Sequence, residues 1–323
     1  MRRLARDARA RVMDSTLSYF INQLDNFDPT LYQPLVSVSW GRDIDLRSGI
    51  TMSNESTSFI RSSFGAPGTL NQTGNMPWIS AETTAIPGVT VNGQRLVKPL
   101  RLLGREPNYS SVELQRSQLT GQPIDVQQLS AMNVLYQMNT DQMVYIGATE
   151  VGATGLLNSS EVTAANVAAG AAGGTTWATK TPDEILADVN TMLTAAWLAS
   201  GYAVCPGKIG LPPANYSLIA TQKVSSAGDK SILTYLMENN ISKNINTKPL
   251  EIVPIKWLTG RGDGGSNRMI CYTQDESMVR FPMVPIRRET AYYQGIKFFA
   301  PYIWAFGEME VVYPETLRYA DGI

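Results

Sequence analysis

The feature that most constrains the fold of this 323-residue chain is the stretch from Trp40 to Arg105, which has no compact hydrophobic run. It is rich in Gly, Ser, Thr, Asn and Pro, with short β-prone pieces at 58–64 and 89–91. Asn92-Gly93 lies between two β-prone pieces and favours a two-residue hairpin turn, because both turn positions need a positive φ. A lone two-stranded hairpin is barely stable in water. The sequence therefore predicts an extended hairpin with its turn at Asn92 and Gly93, which needs a partner surface.

The N-terminal segment combines an arginine cluster with an apolar stripe. The stripe has the spacing of one helix face, and Asp28-Pro29 ends the helix; its members are Met13, Leu17, Phe20, Ile21 and Leu24. The arginines before it are Arg2, Arg3, Arg6, Arg9 and Arg11. We interpret the segment as an amphipathic arm that packs on its own chain or on a neighbour. A nucleic-acid contact and a transit peptide are the alternatives, the first weakened by the lack of interleaved aromatics and the second by two acidic residues.

A long helix is predicted at 125–145. Apolar side chains recur at near-helical steps there, the segment follows Gln122-Pro123, and it contains no Gly or Pro. The low-complexity stretch 163–176 looks like a phosphate-binding loop, but no lysine follows at the required place. We interpret it as a mobile linker that marks a domain boundary.

A second compact unit is predicted after this boundary. Thr181 caps a helix whose first turn holds Pro182, Asp183 and Glu184. A strand at 202–205, a helix at 230–237 and a strand at 250–257 follow, which is an α+β or α/β pattern. The remaining chain is β-rich, with strands predicted at 269–272, 291–293 and 310–313.

The composition excludes much of enzyme chemistry. The chain has no histidine, which removes His-based triads, His-ligated metals and the usual group for proton transfer near neutral pH. Cys205 and Cys271 are the only cysteines, too few for a zinc site or a disulfide scaffold, and we expect them to be buried free thiols. A net charge of −1 does not fit a dedicated polyanion binder. Neither a signal peptide nor a membrane span is indicated, since the most apolar run, 298–306, is short and contains Pro301.

Three short motifs suggest chemistry, and each has a simpler explanation. The segment 201–208 resembles a phosphate loop, but its glycines are separated by five residues instead of four, and Ile209 replaces the metal-binding hydroxyl. Glu308 and Glu310 would share a strand face, as a carboxylate pair does in glycoside hydrolysis or in an ordinary surface strand. The tripeptide at 261–263 matches an integrin-binding motif and is interpreted as a surface loop. No catalytic, cofactor-binding or metal-binding residue is predicted.

The order of features nevertheless resembles a known family. Leu114-Gln115-Arg116, then Gly121-Gln122-Pro123-Ile124-Asp125 and a long helix ending at Tyr145-Ile146-Gly147 resemble the spine-helix region of the major capsid proteins of tailed bacteriophages, which have the Hong Kong 97-type fold. Gly155-Leu156-Leu157-Asn158, followed by Val162, is similar to a turn in one capsid subfamily, and 302–323 resembles the family's closing strands.

The resemblance implies an α+β capsid fold with five parts. These are an N-terminal arm at 1–40, an extended β-hairpin loop with flanking strands at 41–105, a peripheral domain with the spine helix at 106–180, an axial domain at 181–265, and return strands of the peripheral domain at 266–323. Some relatives fuse their subunits by a self-catalysed Lys–Asn bond. Lys98 is one of few lysines near the extended loop, but no reacting trio of residues can be matched, so cross-linking is not carried over.

The resemblance also implies a function. The chain would assemble with itself into pentamers and hexamers of an icosahedral shell around double-stranded phage DNA, in the bacterial host cytoplasm, and become part of the virion. Contact with DNA would be non-specific, and a portal and scaffolding or decoration proteins would be further partners. We expect the five stripe residues with Asn92 and Gly93 to form assembly contacts and the five arginines to face the lumen. The alternatives are an encapsulin-like nanocompartment and a soluble hydrolase that uses carboxylates or a Ser/Lys pair.

Overall fold

The computed structural model of the chain describes residues 34–65, 81, 90–119, 124–225, 228–246 and 248–323. Residues 1–33 of the predicted arm, which include its apolar stripe and its arginines, lie outside the described residues. Seven α-helices occur in the described ranges: α1 Trp40–Asp43, α2 Ser111–Leu119, α3 Ile124–Tyr145, α4 Pro182–Ala199, α5 Pro213–Thr221, α6 Ile232–Glu238 and α7 Ile241–Asn246. Short 3-10 turns lie at Thr149–Val151, Lys256–Leu258, Asp263–Gly265 and Pro314–Thr316.

Eighteen strands complete the described fold. They are β1 Asp45–Leu46, β2 Ser56–Gly65, β3 Thr90–Pro99, β4 Arg101–Arg105, β5 Asn108–Ser110, β6 Gly147–Ala148, β7 Ala153–Thr154, β8 Ala164–Asn166, β9 Lys208–Leu211, β10 Glu251–Pro254, β11 Arg268–Tyr272, β12 Val279–Phe281, β13 Met283–Arg288, β14 Tyr292–Gln294, β15 Lys297–Phe299, β16 Tyr302–Phe306, β17 Glu310–Val311 and β18 Arg318–Asp321.

Two hydrophobic cores form the body of the molecule. The first packs the C-terminal half of α3, with Tyr136 and Val144, against the small sheets β1-β12-β17 and β13-β16-β4. The second packs helices α4, α5 and α6 on the five-stranded sheet β10-β9-β11-β18-β8, with Trp177 fully buried beside α4. Helices on one side of a mixed sheet are an α+β arrangement, so the predicted fold class is confirmed.

The five-stranded sheet joins segments that are far apart in the chain. Strands β11 and β18, which we expected to return to the peripheral domain, pair with each other and β11 also pairs with β9. Strand β8 pairs with β18 in parallel, so the linker predicted at 163–176 instead begins with a strand. The five-part division stays a prediction. Strands β11 and β18, which follow the predicted boundary at 266, belong to the same sheet as β9 and β10, which precede it.

The two long predicted helices are confirmed. Helix α3 covers Ile124–Tyr145 with no Gly or Pro inside it. Helix α4 begins with a capping box, in which the Thr181 hydroxyl accepts from the Glu184 backbone N–H and the Glu184 carboxylate accepts from the Thr181 backbone N–H. Both predictions depended on apolar spacing and capping residues within the helix itself, and the tertiary contacts of the fold preserve these helices.

The strand predicted at 202–205 is wrong. Tyr202 has a positive φ of 64°, which no strand residue takes, and the segment is a turn after α4. The indole N–H of Trp197 donates to the carbonyl of Tyr202 at 3.0 Å, and the two rings make an edge-to-face contact at 4.8 Å. The turn is therefore fixed by aromatic packing, and the strand begins later, at the buried Lys208.

The hairpin turn predicted at Asn92 and Gly93 is also wrong. The hairpin itself exists, but Asn92 and Gly93 lie inside β3, opposite Ser63 and Ser62 of β2. The structure describes both residues, and neither has the positive φ that the predicted turn requires. The pairing continues to Gly65 opposite Thr90, and the connection lies between these two residues.

Candidate assembly surface

The two faces of the β2–β3 hairpin differ in what they contact. Directly opposed residues share a face, and the pairs Thr57/Lys98 and Arg61/Gln94 belong to the face that meets the body. The other face carries Ile60 and Val97, which are 68% and 55% exposed in the single chain. These two apolar side chains are uncovered in the single chain. We call this side, made by Ser58, Ile60, Arg95 and Val97, the open face of the hairpin.

One fully buried carboxylate binds the root of the hairpin, which we define as the end of β2 and β3 at Thr57 and Lys98. Glu310 on β17 is 0% exposed. Its Oε1 accepts from the Thr57 hydroxyl and from Arg47 Nη1, both at 2.6 Å, and its Oε2 accepts from Arg280 Nε at 2.7 Å. Two guanidinium groups and a hydroxyl thus satisfy a charge that would be costly to bury alone.

Further contacts continue along the same segment of the body. Arg61 of the hairpin donates to the carbonyls of Val311 and Val312 at 2.6 and 2.9 Å, and it forms an ion pair with Glu161. Lys98 lies 2.9 Å from a carboxylate oxygen of Glu308 and 3.3 Å from the Met309 carbonyl. The hairpin is therefore bound to 308–312 through directional polar contacts.

Apolar burial contributes little to this attachment. Of the described residues of β2 and β3, none belongs to either hydrophobic core or to the half-buried apolar side chains packed on them. Phe59 is half-buried and lies under the guanidinium groups of Arg61 and Arg280, with its ring centroid 5.6 and 6.0 Å from their central carbons. Polar geometry, more than core packing, defines how the hairpin leaves the body.

Two further buried carboxylates, Asp141 and Asp43, bind the segment that precedes β1. Asp141 of α3 accepts the backbone N–H groups of Ser39 and Trp40 at 2.9 and 3.1 Å, and the indole N–H of Trp257 at 2.7 Å. The ammonium group of Lys256 lies 3.0 Å from the same carboxylate and also donates to the Ser37 carbonyl. Residues 37–40 are thus fixed between α3 and the 3-10 turn at Lys256–Leu258.

Asp43 is the other buried carboxylate of this region. Burial alone would raise its pKa, but hydrogen bonds from Arg42 and Tyr145 and the charge of Lys208 outweigh burial and lower the pKa below its ordinary value. Lys208 is itself buried, and its ammonium group lies 3.2 Å from Asp43 and 2.8 Å from the carbonyl of Arg42. The cluster connects α1, α3 and the five-stranded sheet by charge-assisted hydrogen bonds.

Other apolar side chains are exposed on the β14–β15 hairpin and on α3. The β14–β15 hairpin carries Tyr293 and Ile296, which are 73% and 66% exposed. Tyr292 stacks on Phe299 and Tyr293 makes a tilted contact with Phe298, with ring centroids 5.2 and 5.1 Å apart. Helix α3 exposes Val126 and Met138 as well. The single chain therefore has several surfaces that contact with other molecules would cover.

The motifs weighed for chemistry have structural partners. Glu308 accepts from the Thr154 hydroxyl at 2.6 Å and pairs with Lys98, while Glu310 is enclosed by its three donors, so the two carboxylates do not face a common substrate position. In the 261–263 tripeptide, the backbone N–H of Asp263 donates to Asp321. Cys205 and Cys271 are buried free thiols, and burial raises the pKa of both, that of Cys271 to about 12.

Searches for two other kinds of site gave no candidate in the described ranges. No group of three or more cysteine, aspartate or glutamate side chains there could hold a metal ion. No helix there is both long enough and apolar enough to cross a bilayer.

Sequence reasoning missed both buried carboxylate clusters. It considered Glu310 only as half of a carboxylate pair, and Asp141 and Asp43 not at all. The partners of Glu310 lie 263, 253 and 30 residues away along the chain, so no local pattern announces them. The one available signal is the placement of a carboxylate between Met309 and Val311 in an otherwise apolar strand.

The comparisons with known proteins identify a family from the sequence and a fold from the structure. The sequence model of the major capsid protein family matches residues 74–323. No curated protein sequence matches the chain. Among solved structures, the capsid of Myoviridae phage XM1 has a TM-score of 0.74 at 18% identity and covers 94% of this chain and 98% of its own.

Two other solved structures share the fold at lower similarity. A chain from Mycobacterium phage Ogopogo gives a TM-score of 0.56 at 12% identity, covering 94% of this chain and 98% of that chain. The holo-SrpI encapsulin complex from Synechococcus elongatus PCC 7942 gives 0.53 at 13% identity, with 94% and 95% covered. The fold is the Hong Kong 97-type capsid fold that the sequence resemblance implied.

Proposed function

This chain belongs to the major capsid protein family and is a structural shell protein, and we propose that it assembles with many copies of itself into pentamers and hexamers of a closed icosahedral shell around double-stranded phage DNA. Each copy would use two different surfaces to contact its neighbours. Such heterologous contacts give a closed assembly only when the copies complete a ring. The shell would be built in the bacterial host cytoplasm and become the capsid of the virion.

The open face of the hairpin is the observation that carries this proposal. Strands β2 and β3 pair over ten residue pairs, and none of their described side chains belongs to either core. A two-stranded hairpin is barely stable on its own in water. Ile60 and Val97 remain exposed in the single chain. Contact with a neighbouring copy supplies the missing burial.

The predicted arm has a supporting role in the proposal. Its apolar stripe, Met13 to Leu24, would dock on a neighbouring copy or beneath the hairpin, and its arginines would face the lumen. The start of the described chain is held at residues 37–40 by Asp141, which gives the arm a fixed point of departure. Contact with DNA would be sequence-independent and weak, because the net charge of the chain is −1. A portal and scaffolding or decoration proteins remain proposed partners.

A non-viral nanocompartment is the alternative, because an encapsulin complex shares the fold. The contents of purified particles separate the two: nuclease-protected double-stranded DNA supports the capsid, and a protein cargo supports the compartment. For the hydrolase alternative we find no support, because Glu308 and Glu310 are occupied by structural partners. We propose that the chain has no catalytic turnover. A hydrolase activity of the purified protein that E308Q/E310Q abolishes would contradict this.

The experiment that tests assembly changes the open face alone. In I60E/V97E, two carboxylates replace side chains that are exposed in the single chain, so folding should be unaffected while the contact with a neighbour is lost. Sedimentation and negative-stain imaging should show megadalton closed particles for the wild-type chain and small species for this variant. I60V/V97I keeps the face apolar and should form wild-type particles. Normal particles from I60E/V97E would refute the proposed contact.

A further inference from the structure

We propose that Glu310 is a positioning residue for assembly: by holding Thr57, Arg47 and Arg280 together, it fixes the angle at which the hairpin leaves the body, and this angle sets the curvature of the shell. The inference rests on the proposed function, since it assigns a determinant to the contact made by the hairpin. It concerns the root of the hairpin, whereas the assembly contact concerns its open face.

The first step is that Glu310 joins three separate elements. Thr57 belongs to β2 of the hairpin, Arg280 belongs to β12 of the body, and Arg47 follows β1, beside both. Arg47 also donates through Nη2 to the carbonyl of Ser58 at 3.1 Å. One carboxylate therefore sets the relative position of the hairpin and the strands behind it.

The second step is that directional polar contacts, and not apolar packing, hold the root. An apolar contact is non-directional, so a hairpin anchored in a core could adjust its tilt by small shifts in packing. Here none of the described hairpin side chains enters a core, and the root is held by hydrogen bonds, whose strength falls steeply with misalignment. Lys98, directly opposite Thr57, and Arg61, four residues farther along β2, bind the same segment of the body and would act as secondary supports.

The third step relates this angle to the assembled particle. The hairpin is ten residues long in each strand, and a strand rises about 3.3 Å per residue, so its far end lies roughly 30 Å from the root. A small rotation at the root therefore becomes a displacement of several ångströms at the far end. The open face lies on the same ribbon and would turn with it, so a neighbouring copy seated on Ile60 and Val97 would join at a different angle, and the shell would close at another size or not at all.

Thr57→Val is the most selective test. Valine has nearly the shape of threonine but lacks the hydroxyl that donates to Glu310, while Arg47 and Arg280 still satisfy the buried charge. We expect amide hydrogen exchange at 56–63 in the unassembled chain to become at least about tenfold faster, the loss expected for a hydrogen bond to a charged group. Particles should be heterogeneous in diameter by electron microscopy, whereas the wild-type chain gives one diameter.

Two variants serve as controls. Thr57→Ser retains the donating hydroxyl and should restore both slow exchange and uniform particles, which a purely space-filling role of Thr57 would not predict. Ser58→Ala removes a hydroxyl from the adjacent residue on the open face, where that hydroxyl accepts from Arg95 Nη2 at 3.2 Å, and it keeps the backbone carbonyl that accepts from Arg47. It should leave root exchange and diameter unchanged.

The outcomes separate this inference from the proposed function. If wild-type chains form uniform particles and T57V does the same with unchanged exchange, the role of Glu310 is refuted while the shell assignment stands. If T57V accelerates exchange but particle diameter stays uniform, the hairpin angle does not control curvature, and the inference is also refuted. If the wild-type chain forms no closed particles, the proposed function fails and the inference falls with it.

Discussion

Asp43 illustrates how single buried residues hold this protein together. It is fully buried, and its carboxylate meets Arg42, Tyr145 and Lys208. Asp43→Asn removes the charge and leaves Lys208 buried with weaker compensation, so we expect a loss of about 3 kcal/mol in the free energy of unfolding. Urea denaturation at pH 7 measures it. Asp229→Asn, which weakens the exposed pair with Lys223, should leave the urea midpoint nearly unchanged.

The same residue predicts a pH dependence. The folded-state pKa of Asp43 lies below its ordinary value of 3.8, so the unfolded chain binds a proton more readily than the folded chain does. This contribution to stability is fully present above pH 3.8 and is lost as the pH falls through the folded pKa. The urea midpoint of the wild-type chain should therefore fall more steeply below about pH 4 than that of D43N. Parallel curves for the two chains would contradict the lowered pKa.

At the scale of elements, the position of Gly93 in a strand rather than in a turn has a measurable consequence. Gly93→Ala should leave the hairpin unchanged or stabilise it by up to about 1 kcal/mol, because Gly weakens a strand interior. The added methyl group would lie 3.3 Å from a methyl group of Ile60, which can shift at this exposed site. Amide exchange of β2 and β3 checks the result.

Gly49 provides the matched control. It has a φ of +76° and open space around it, so Gly49→Ala tests backbone conformation without a steric clash. We expect a loss of about 1 kcal/mol there. A similar loss in G93A would mean that Gly93 also needs a positive φ, as in the turn the sequence suggested.

These elements also show how far the sequence could be read. Helices α3 and α4 follow from apolar spacing and from the cap at Thr181, which act within a few residues. The hairpin was predicted from the Asn92-Gly93 signal, and the hairpin exists although this signal lies inside β3. Its register was not predicted, because the partner of β3 is β2, about thirty residues earlier, and a turn motif inside a strand cannot reveal this. Glu310 and Asp141 were out of reach for the same reason: their donors come from remote segments.

At the scale of the whole molecule, the arm gives the next prediction. Its five apolar side chains would contribute a gross burial term of roughly 7 to 15 kcal/mol, an upper bound before the cost of ordering the segment. Deleting residues 2–24, or changing Leu17 and Phe20 to Ser, should reduce the yield of correctly sized, DNA-filled particles. Gradient sedimentation and imaging measure the yield. Wild-type yields from both variants would show that the stripe has no role in assembly.

The central claim is that the open face of the hairpin is covered by a neighbouring copy in a closed shell. Cryo-electron microscopy of particles assembled by the wild-type chain tests it most directly. The account predicts an icosahedral shell in which β2 and β3 cross onto the next copy, Ile60 and Val97 are buried between subunits, and Thr57 still reaches Glu310 of its own chain. A map in which the hairpin lies back on its own subunit, with Ile60 and Val97 open to solvent, would contradict the claim.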